Sequence, residues 1–264
     1  MKTCLEYEIA QDKYNNFTCN EIIDNNKKNI VIISNCHGVV ICECLKKIIG
    51  HLYNIYVIMS FRYRKYDYET YGKEDKKQII NILKNASICI YQLAYKNDSF
   101  FSTYKEDDNC MLNYCPKDIQ KICFTNLQNT GLWSTYFINE NVTDQYILNN
   151  FQNSLKYFKN IDSQSDTPIY DIFVNNFQNI KMLIDVAHPT FYIFKIIVLK
   201  ILEKLNMSHL YNKELDSITC INPCNLMGGW FHTSRDIKIF QLKYVSEDEI
   251  IQGDLYVKSL QKNK

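Results

Sequence analysis

Around residue 36 the sequence pattern indicates a short strand, a tight polar turn and a helix in succession, and this succession limits the folds open to the chain. The apolar run Ile30–Ile33 is too short for a helix and is bounded by polar residues, as expected of a buried parallel strand. After the turn at 34–38, apolar residues recur at helical spacing as far as Ile49. The pattern therefore predicts a β-α unit with Cys36 at the end of its strand.

This position would give the Cys36 thiol unusual chemistry. The first turn of a helix offers unpaired backbone N–H groups and about half a positive charge, and both stabilise a thiolate. Cysteines at helix N-termini accordingly have lowered pKa values. The same N–H groups could hold an oxyanion after the thiolate has attacked a carbonyl. The alternative, of equal weight, is that Cys36 is simply one of the eleven cysteines of this chain.

Strands and helices continue to alternate after the first unit. Further strands are predicted at Tyr53–Ser60, Ser87–Leu93 and Lys121–Thr125, with a helix at Lys73–Asn85. Such alternation predicts an α/β fold of three layers, α/β/α, with a mainly parallel sheet. Ligands bind such sheets beyond the carboxyl ends of the strands. The long polar segment Lys96–Lys117 is predicted to be a functional or mobile loop that borders this edge.

The second half of the chain has a more helical pattern. Helices are predicted at about Thr143–Asn160, Pro168–Val186 and Pro189–Leu205, followed by a C-terminal strand at Ile237–Val245. We expect one domain over residues 1–264, with an α/β core at 28–205 and a C-terminal extension at 206–264. The extension could cover the pocket, contact the acceptor or mediate self-association. A homo-oligomer is therefore one expectation.

A second candidate motif is the pair Asp185 and His188. An aspartate three residues before a histidine can reach the imidazole across one turn and fix its tautomer. Pro189 restricts His188 to an extended conformation, so the imidazole should lie at a break between helices. With Cys36 the pair would supply a nucleophile, an orienting acid and a base. A solvated helix end is the alternative for this motif, and His37 is a rival base beside Cys36.

Charge and composition exclude several classes of partner. The formal net charge is +1 and the lysines are scattered, so we expect no nucleic-acid partner. No secretory leader is recognisable at the N-terminus. The longest apolar stretch, Phe191–Leu202, contains two lysines and is too short to span a membrane. We therefore expect a cytoplasmic protein with no membrane partner.

The cysteines are expected to be free thiols because the cytoplasm is reducing. A zinc site built from Cys110, Cys115, Cys220, Cys224 and His232 is disfavoured, since neither cysteine pair has the close Cys-x-x-Cys spacing. No metal cofactor is predicted.

These motifs together support a resemblance to a known fold. The turn Ser34-Asn35-Cys36 and the late Asp-x-x-His resemble the SGNH hydrolase-like fold, whose hydrolases have Gly-Asp-Ser at the nucleophile. The Asn-Cys pair, and a third strand ending in Gln92, are similar to the WcbI-type capsular polysaccharide acetyltransferases. Ser34 and His37 stand where that family has glycine and glutamine. The resemblance covers roughly residues 28–205.

The resemblance implies an acetyl-CoA-dependent acetyltransferase that acts on a sugar or nucleotide sugar, with Cys36, His188 and Asp185 catalytic. It implies an oxyanion or substrate role for a polar set placed at strand ends: Asn35, His37, Gln92, Asn126 and Asn129. The cations after the second strand would bind the CoA phosphates: Arg62, Arg64 and Lys65. A solvated loop is the alternative for those three.

The acceptor implied is an amino sugar on a nucleotide carrier. The bias of this chain toward Asn, Ile, Lys and Tyr is similar to that of giant-virus proteins, which include a domain that acetylates viosamine on UDP; a viral protein would act in the host cytoplasm. Three alternatives stay open. They are direct transfer with His188 as sole base, an esterase or deacetylase on the same fold, and a catalytically silent glycan-binding module.

Overall fold

The computed structural model describes residues 24–59, 75–93, 102–127, 129–133, 142–186, 188–211 and 231–262. The chain divides into two compact units. The first comprises Met1–Asn126, Gln164–Thr167 and Phe194–Pro223, and the second comprises Leu127–Ser163, Pro168–Ile193 and Cys224–Lys264. The expected single domain with a 28–205 core stays a prediction.

The first unit is built on a parallel sheet of four strands in the order β2-β1-β3-β4. The strands are β1 (Lys28–Ser34), β2 (Tyr53–Met59), β3 (Ile88–Gln92) and β4 (Gln120–Phe124). Every neighbouring pair is parallel. The four predicted strands are therefore confirmed.

Helices pack on this sheet as the alternating pattern predicted. Helix α1 (His37–Ile49) contacts β1 and β2, and helix α2 (Asp75–Lys84) lies between β2 and β3 in sequence. In β1 the side chains from Ile30 onward are buried on both faces, as in a strand covered by helices. The fold class is thus the predicted α/β, consistent with three layers.

One face of the sheet forms a core with the segment before β4. Val31 and Ile33 of β1 pack with residues of α2 and with a 3₁₀-helix at Met111–Tyr114. Cys110, Met111 and Leu112 are buried there. The part of Lys96–Lys117 that the structure describes thus packs its apolar residues into this core. That the segment is functional or mobile and borders the ligand-binding edge stays a prediction.

The second unit is mostly helical. It contains α3 (Asp144–Asp162), α4 (Tyr170–Asn176), α6 (Ser234–Phe240) and α7 (Glu247–Lys262). Helix α5 (Phe191–Lys204) begins in this unit and has the rest of its residues in the first. Helices α3 and α5 confirm two of the predicted helices. No helix in the described parts of the chain combines the length and apolar character needed to cross a bilayer.

Two predicted elements of this unit differ from the structure, the first in its length and the second in its type. The helix expected over Pro168–Val186 ends at Asn176, where asparagines of low helix propensity are followed by turns. The strand expected at Ile237–Val245 is instead helix α6 and the segment after it. Thr233 and Asp236 form a capping box that starts this helix, and Gln241 ends it in the left-handed conformation (φ 55°).

The cysteines follow the expectation with one exception. Six described cysteines are thiols outside any disulfide, whereas Cys42 of α1 is disulfide-bonded. The expectation is wrong at Cys42 because pairing depends on which thiols the fold brings within bonding distance, and this cannot be judged from the compartment alone.

Candidate active site

The topology of the sheet marks one position where ligands should bind. The chain leaves β1 toward β2 on one side and then crosses to β3 on the other side of β1. A crevice forms at such a switch point, outside the carboxyl ends of β1 and β3, and ligands bind there in open α/β sheets. The residues at these two ends are the 34–38 turn and Gln92. The Cys36 turn therefore lies at the expected ligand position.

Gln92 holds this turn in its conformation. Its Oε1 accepts hydrogen bonds from Ser34 Oγ (3.2 Å) and from the Asn35 N–H (3.3 Å). These two donors set the orientation of the amide, so Nε2 points to His37 Nδ1 at 3.0 Å. Thr103 Oγ1 donates to the Gln92 carbonyl oxygen at 2.5 Å. Gln92 is thus occupied in anchoring the turn, and its predicted contact with substrate stays a prediction.

His37 is poorly suited to act as the base. Its ring is buried, and its edge lies against Phe194 with the centroids 5.7 Å apart. The Gln92 amide nitrogen can only donate, so His37 Nδ1 accepts and the proton of the neutral ring is on Nε2. Protonation at Nδ1 would break this hydrogen bond. The interpretation of His37 as a rival base is therefore disfavoured.

Cys36 occupies the N-cap position of α1, which confirms the predicted helix start beside it. The thiol is partly exposed, whereas the other five described cysteines that are not in a disulfide are buried. The N–H of His37 donates to Asn35 Oδ1 (2.9 Å), and the N–H of Gly38 donates to Ser34 Oγ (3.0 Å). These two N–H groups already have acceptors within the turn. Donors to an oxyanion are better sought elsewhere.

Gly38 permits a close approach between helix and strand that another residue would prevent. A Cβ added at Gly38 would lie 2.6 Å from Ser34 Cβ and 3.2 Å from Ile32 Cγ2. We expect Gly38→Ala to lower the free energy of unfolding by about 1–3 kcal/mol, measured by urea denaturation. Equal stability of Gly38→Ala and wild type would contradict the packing described here.

Accessibility and pKa together predict which described thiol reacts with an alkylating reagent. Burial raises the pKa of Cys123 to about 12, and its buried contact with Cys115 raises the pKa of Cys89 well above the ordinary value. Both therefore stay protonated near neutral pH and unreactive. We expect iodoacetamide to modify Cys36 at least ~10-fold faster than Cys89 and Cys123. Peptide mass spectrometry after brief treatment measures this, and faster labelling of Cys89 or Cys123 would contradict it.

The second unit contains the Asp185–His188 pair. The His188 N–H donates to Asp185 Oδ1 at 2.9 Å, and His188 Nδ1 donates to Asp185 Oδ2 at 2.6 Å. A bridge between Leu183 and Pro189 closes the segment, with the Ile184 N–H donating to the His188 carbonyl at 2.8 Å. His188 thus lies at a break before α5, as predicted. With its proton held on Nδ1 by the carboxylate, the neutral ring has Nε2 as its basic atom.

Asn129 lies beside this pair and contributes an unused donor. Its N–H donates to the Val186 carbonyl at 2.9 Å, and its Oδ1 accepts from the Gly131 N–H at 3.0 Å. Asn129 is fully buried, and its Nδ2 has no hydrogen-bond partner among the described residues. An unpaired buried amide costs about 1–3 kcal/mol, and a ligand oxygen that accepted from it would remove this cost. The predicted oxyanion role of Asn129 is chemically consistent with this geometry.

The remaining predicted residues are less informative. Asn126 is partly buried, and its Oδ1 lacks a partner among the described residues, so its predicted role stays a prediction. The predicted phosphate-binding residues Arg62, Arg64 and Lys65 lie outside the described residues. Across the described parts of the chain, no group of three or more His, Cys, Asp or Glu side chains could hold a metal ion.

Sequence reasoning missed two sets of side-chain contacts, one at Gln92 and one in the second unit. Thr103 supports Gln92 from a segment whose local pattern is that of a polar loop. In the second unit, Trp133 stacks on His232 with the centroids 5.0 Å apart and the rings 7° from parallel, and Tyr244 OH lies 3.1 Å from His232 Nε2. Burial raises the pKa of Tyr244. Trp133 is distant in sequence from His232 and Tyr244, and no local signal links the three residues.

Comparison with known proteins adds little. No family model matches the chain, and no curated protein matches its sequence. Among solved structures, the chain is similar to WcbI, a polysaccharide biosynthesis enzyme, in its native form without a disulfide bond between coenzyme A and a cysteine. The identity is 8%, the match covers 90% of this chain and 96% of that one, and the TM-score is 0.45. At this level the likeness decides nothing about function, so the candidate site depends on its own geometry.

Proposed function

We propose that this chain is an acyltransferase in which Cys36 accepts an acetyl group from acetyl-CoA and passes it to a sugar. The observation that supports this most directly is the position of Cys36. It is a partly exposed thiol at the start of α1, at the switch point of a parallel sheet. The positive end of the helix favours the thiolate form, which is the nucleophilic one. The acid-base groups would be His188 and Asp185.

The proposed reaction has two steps with the same thioester chemistry. A base takes the proton of the Cys36 thiol, the Cys36 sulfur bonds to the acetyl carbon as the bond to the CoA sulfur breaks, and the CoA thiolate takes up that proton. The acceptor nitrogen or oxygen then bonds to the acetyl carbon, loses its proton to a base, and releases the Cys36 thiolate. Exchange between two thioesters is nearly isoenergetic, so the enzyme can be loaded reversibly.

His188 is the proposed base for both steps. Asp185 accepts the Nδ1 proton at 2.6 Å, which orients the ring and stabilises the imidazolium that forms when Nε2 takes a proton. Asn129 Nδ2, buried and without a described partner, is the proposed donor to the oxyanion. The roles of Asn35, His37, Gln92 and Asn126 toward substrate are further parts of the proposal.

The choice of a sugar acceptor derives from the resemblance of the Ser34-Asn35-Cys36 turn and Gln92 to the WcbI-type acetyltransferases. An amino sugar on a nucleotide carrier, such as UDP-viosamine, is the acceptor we propose, because an amine reacts with a thioester more readily than water does. Arg62, Arg64 and Lys65 would bind the CoA phosphates. The reaction would take place in the cytoplasm.

The test is intact mass after brief incubation with acetyl-CoA, on wild type and on Cys36→Ala. We expect wild type to gain one acetyl group, to lose it when an amino sugar nucleotide is added, and Cys36→Ala to gain none. Cys44→Ala, which changes a buried cysteine of the same helix, should still be loaded and is the matched control. Absence of any adduct, together with no thermal shift from CoA, would refute the proposal.

A further inference from the structure

Helix α7 exposes an apolar stripe that its own fold leaves uncovered. The exposed fractions of Ile251 and Leu255 are 56% and 58%. The opposite side of the helix is anchored within the second unit. Gly253 faces His232, since an added Cβ would lie 2.4 Å from its carbonyl oxygen, and Asp254 Oδ1 accepts from the Ser234 N–H at 3.0 Å. The helix is therefore held on one side and presents large apolar side chains on the other.

The order of residues along this stripe is specific. Asp248, Ile251, Leu255 and Lys258 follow one another at steps of three, four and three residues, the spacing of a coiled-coil seam. All four are exposed. The seam thus has an acidic end, two apolar residues and a basic end. We call these four residues the α7 seam.

We propose that the α7 seam binds the same seam of a second copy of this chain, with the two helices antiparallel. The pair Asp248 and Lys258 and the pair Ile251 and Leu255 share one midpoint, at residue 253. Antiparallel pairing about that midpoint places Asp248 opposite the partner subunit's Lys258, and Ile251 opposite the partner subunit's Leu255. Two-fold symmetry repeats both contacts.

Charge selects this arrangement over the other one. A parallel pairing in register would place each Asp248 beside its copy and each Lys258 beside its copy, and both contacts repel. The antiparallel pairing replaces these with two attractive pairs that flank an apolar centre. One helix seam buries much less than the roughly 1,600 Å² of a standard interface, so we expect a concentration-dependent dimer of micromolar or weaker affinity.

The first test is sedimentation velocity across a series of concentrations from micromolar to submillimolar. Wild type should shift from monomer to dimer, and Leu255→Asp should weaken the dimer at least ~10-fold. Tyr157→Asp is the matched control, because Tyr157 of α3 has the same exposed fraction, 58%, outside the seam. Wild type that stays monomeric at the highest concentration, or equal effects of the two variants, would overturn the proposal.

The second test exchanges the charges. Asp248→Lys alone and Lys258→Glu alone should each weaken the dimer about 10-fold, because each turns two attractive contacts into repulsive ones. The double variant Asp248→Lys, Lys258→Glu should return to within about threefold of wild type. Both changes are unfavourable to the helix dipole. If the single variants weakened the dimer only by destabilising α7, the two losses would add in the double variant. A double variant as weak as the singles would overturn the proposal.

Discussion

Cys36→Ala should reduce the rate of acetyl transfer to an amino sugar at least ~10³-fold, because the alanine side chain cannot carry the acetyl group. The fold should be unaffected, since Cys36 is partly exposed and its side chain makes no capping hydrogen bond to α1. The measurement is product formation followed by chromatography at saturating acetyl-CoA. A thermal melt of the variant alongside wild type checks that the fold is retained.

A rate within about 10-fold of wild type would show that Cys36 is not the acyl carrier. Direct transfer from CoA to the acceptor would then be the better mechanism, with His188 as sole base. Cys36→Ser is an informative companion variant. Serine keeps the size of the side chain but needs a stronger base to ionise, so it should lose most of the rate while retaining affinity for CoA.

His188→Ala and Asp185→Asn should each reduce kcat by about 10²–10⁴-fold, with little change in stability. His188→Ala removes the base. Asp185→Asn is the sharper variant, because it keeps the shape of the contact at 2.6 Å but replaces an acceptor oxygen with an amide that can donate. An amide donor facing Nδ1 would move the ring proton to Nε2, and Nε2 could then no longer accept one.

The matched control is His209→Ala, since His209 is an exposed histidine of the first unit with no proposed role. Steady-state rates against acetyl-CoA and acceptor separate kcat from KM. If Asp185→Asn retains the wild-type kcat, the aspartate does not orient the base and the proposed mechanism fails at that residue. If His188→Ala alone retains activity, another group removes the proton.

Much of the fold follows from local pattern. The strand at 28–34, the helix that begins beside Cys36 and the later strands are all present where runs of apolar residues predict them. The contact between Asp185 and His188 also follows from local pattern, because the two residues are three positions apart and Pro189 prevents a continuous helix. These features involve neighbours in sequence, so spacing alone constrains them. The catalytic roles assigned to these residues stay predictions.

The features that local pattern did not predict depend on distant residues. Local pattern did not predict that two donors from another strand end turn the Gln92 amide toward Ser34 and His37. The segment 102–115 reads as polar, but its few apolar residues pack into the core. Helix α6 lies where the sequence pattern predicts a strand, although the capping box of Thr233 and Asp236 is a helix-start signal that can be read locally.

Local pattern in the sequence is enough to establish an α/β chain with a cysteine at the end of its first strand and a histidine paired with a nearby aspartate. Hydrophobic periodicity and short spacings carry that information because they act within one element or one turn. The packed structure adds that Gln92 anchors the Cys36 turn, that its amide engages His37 Nδ1, and that Asn129 has a buried donor without a described partner. Each of these depends on which hydrogen-bonding groups the packed sheet and helices bring together, and no single stretch of sequence contains that information.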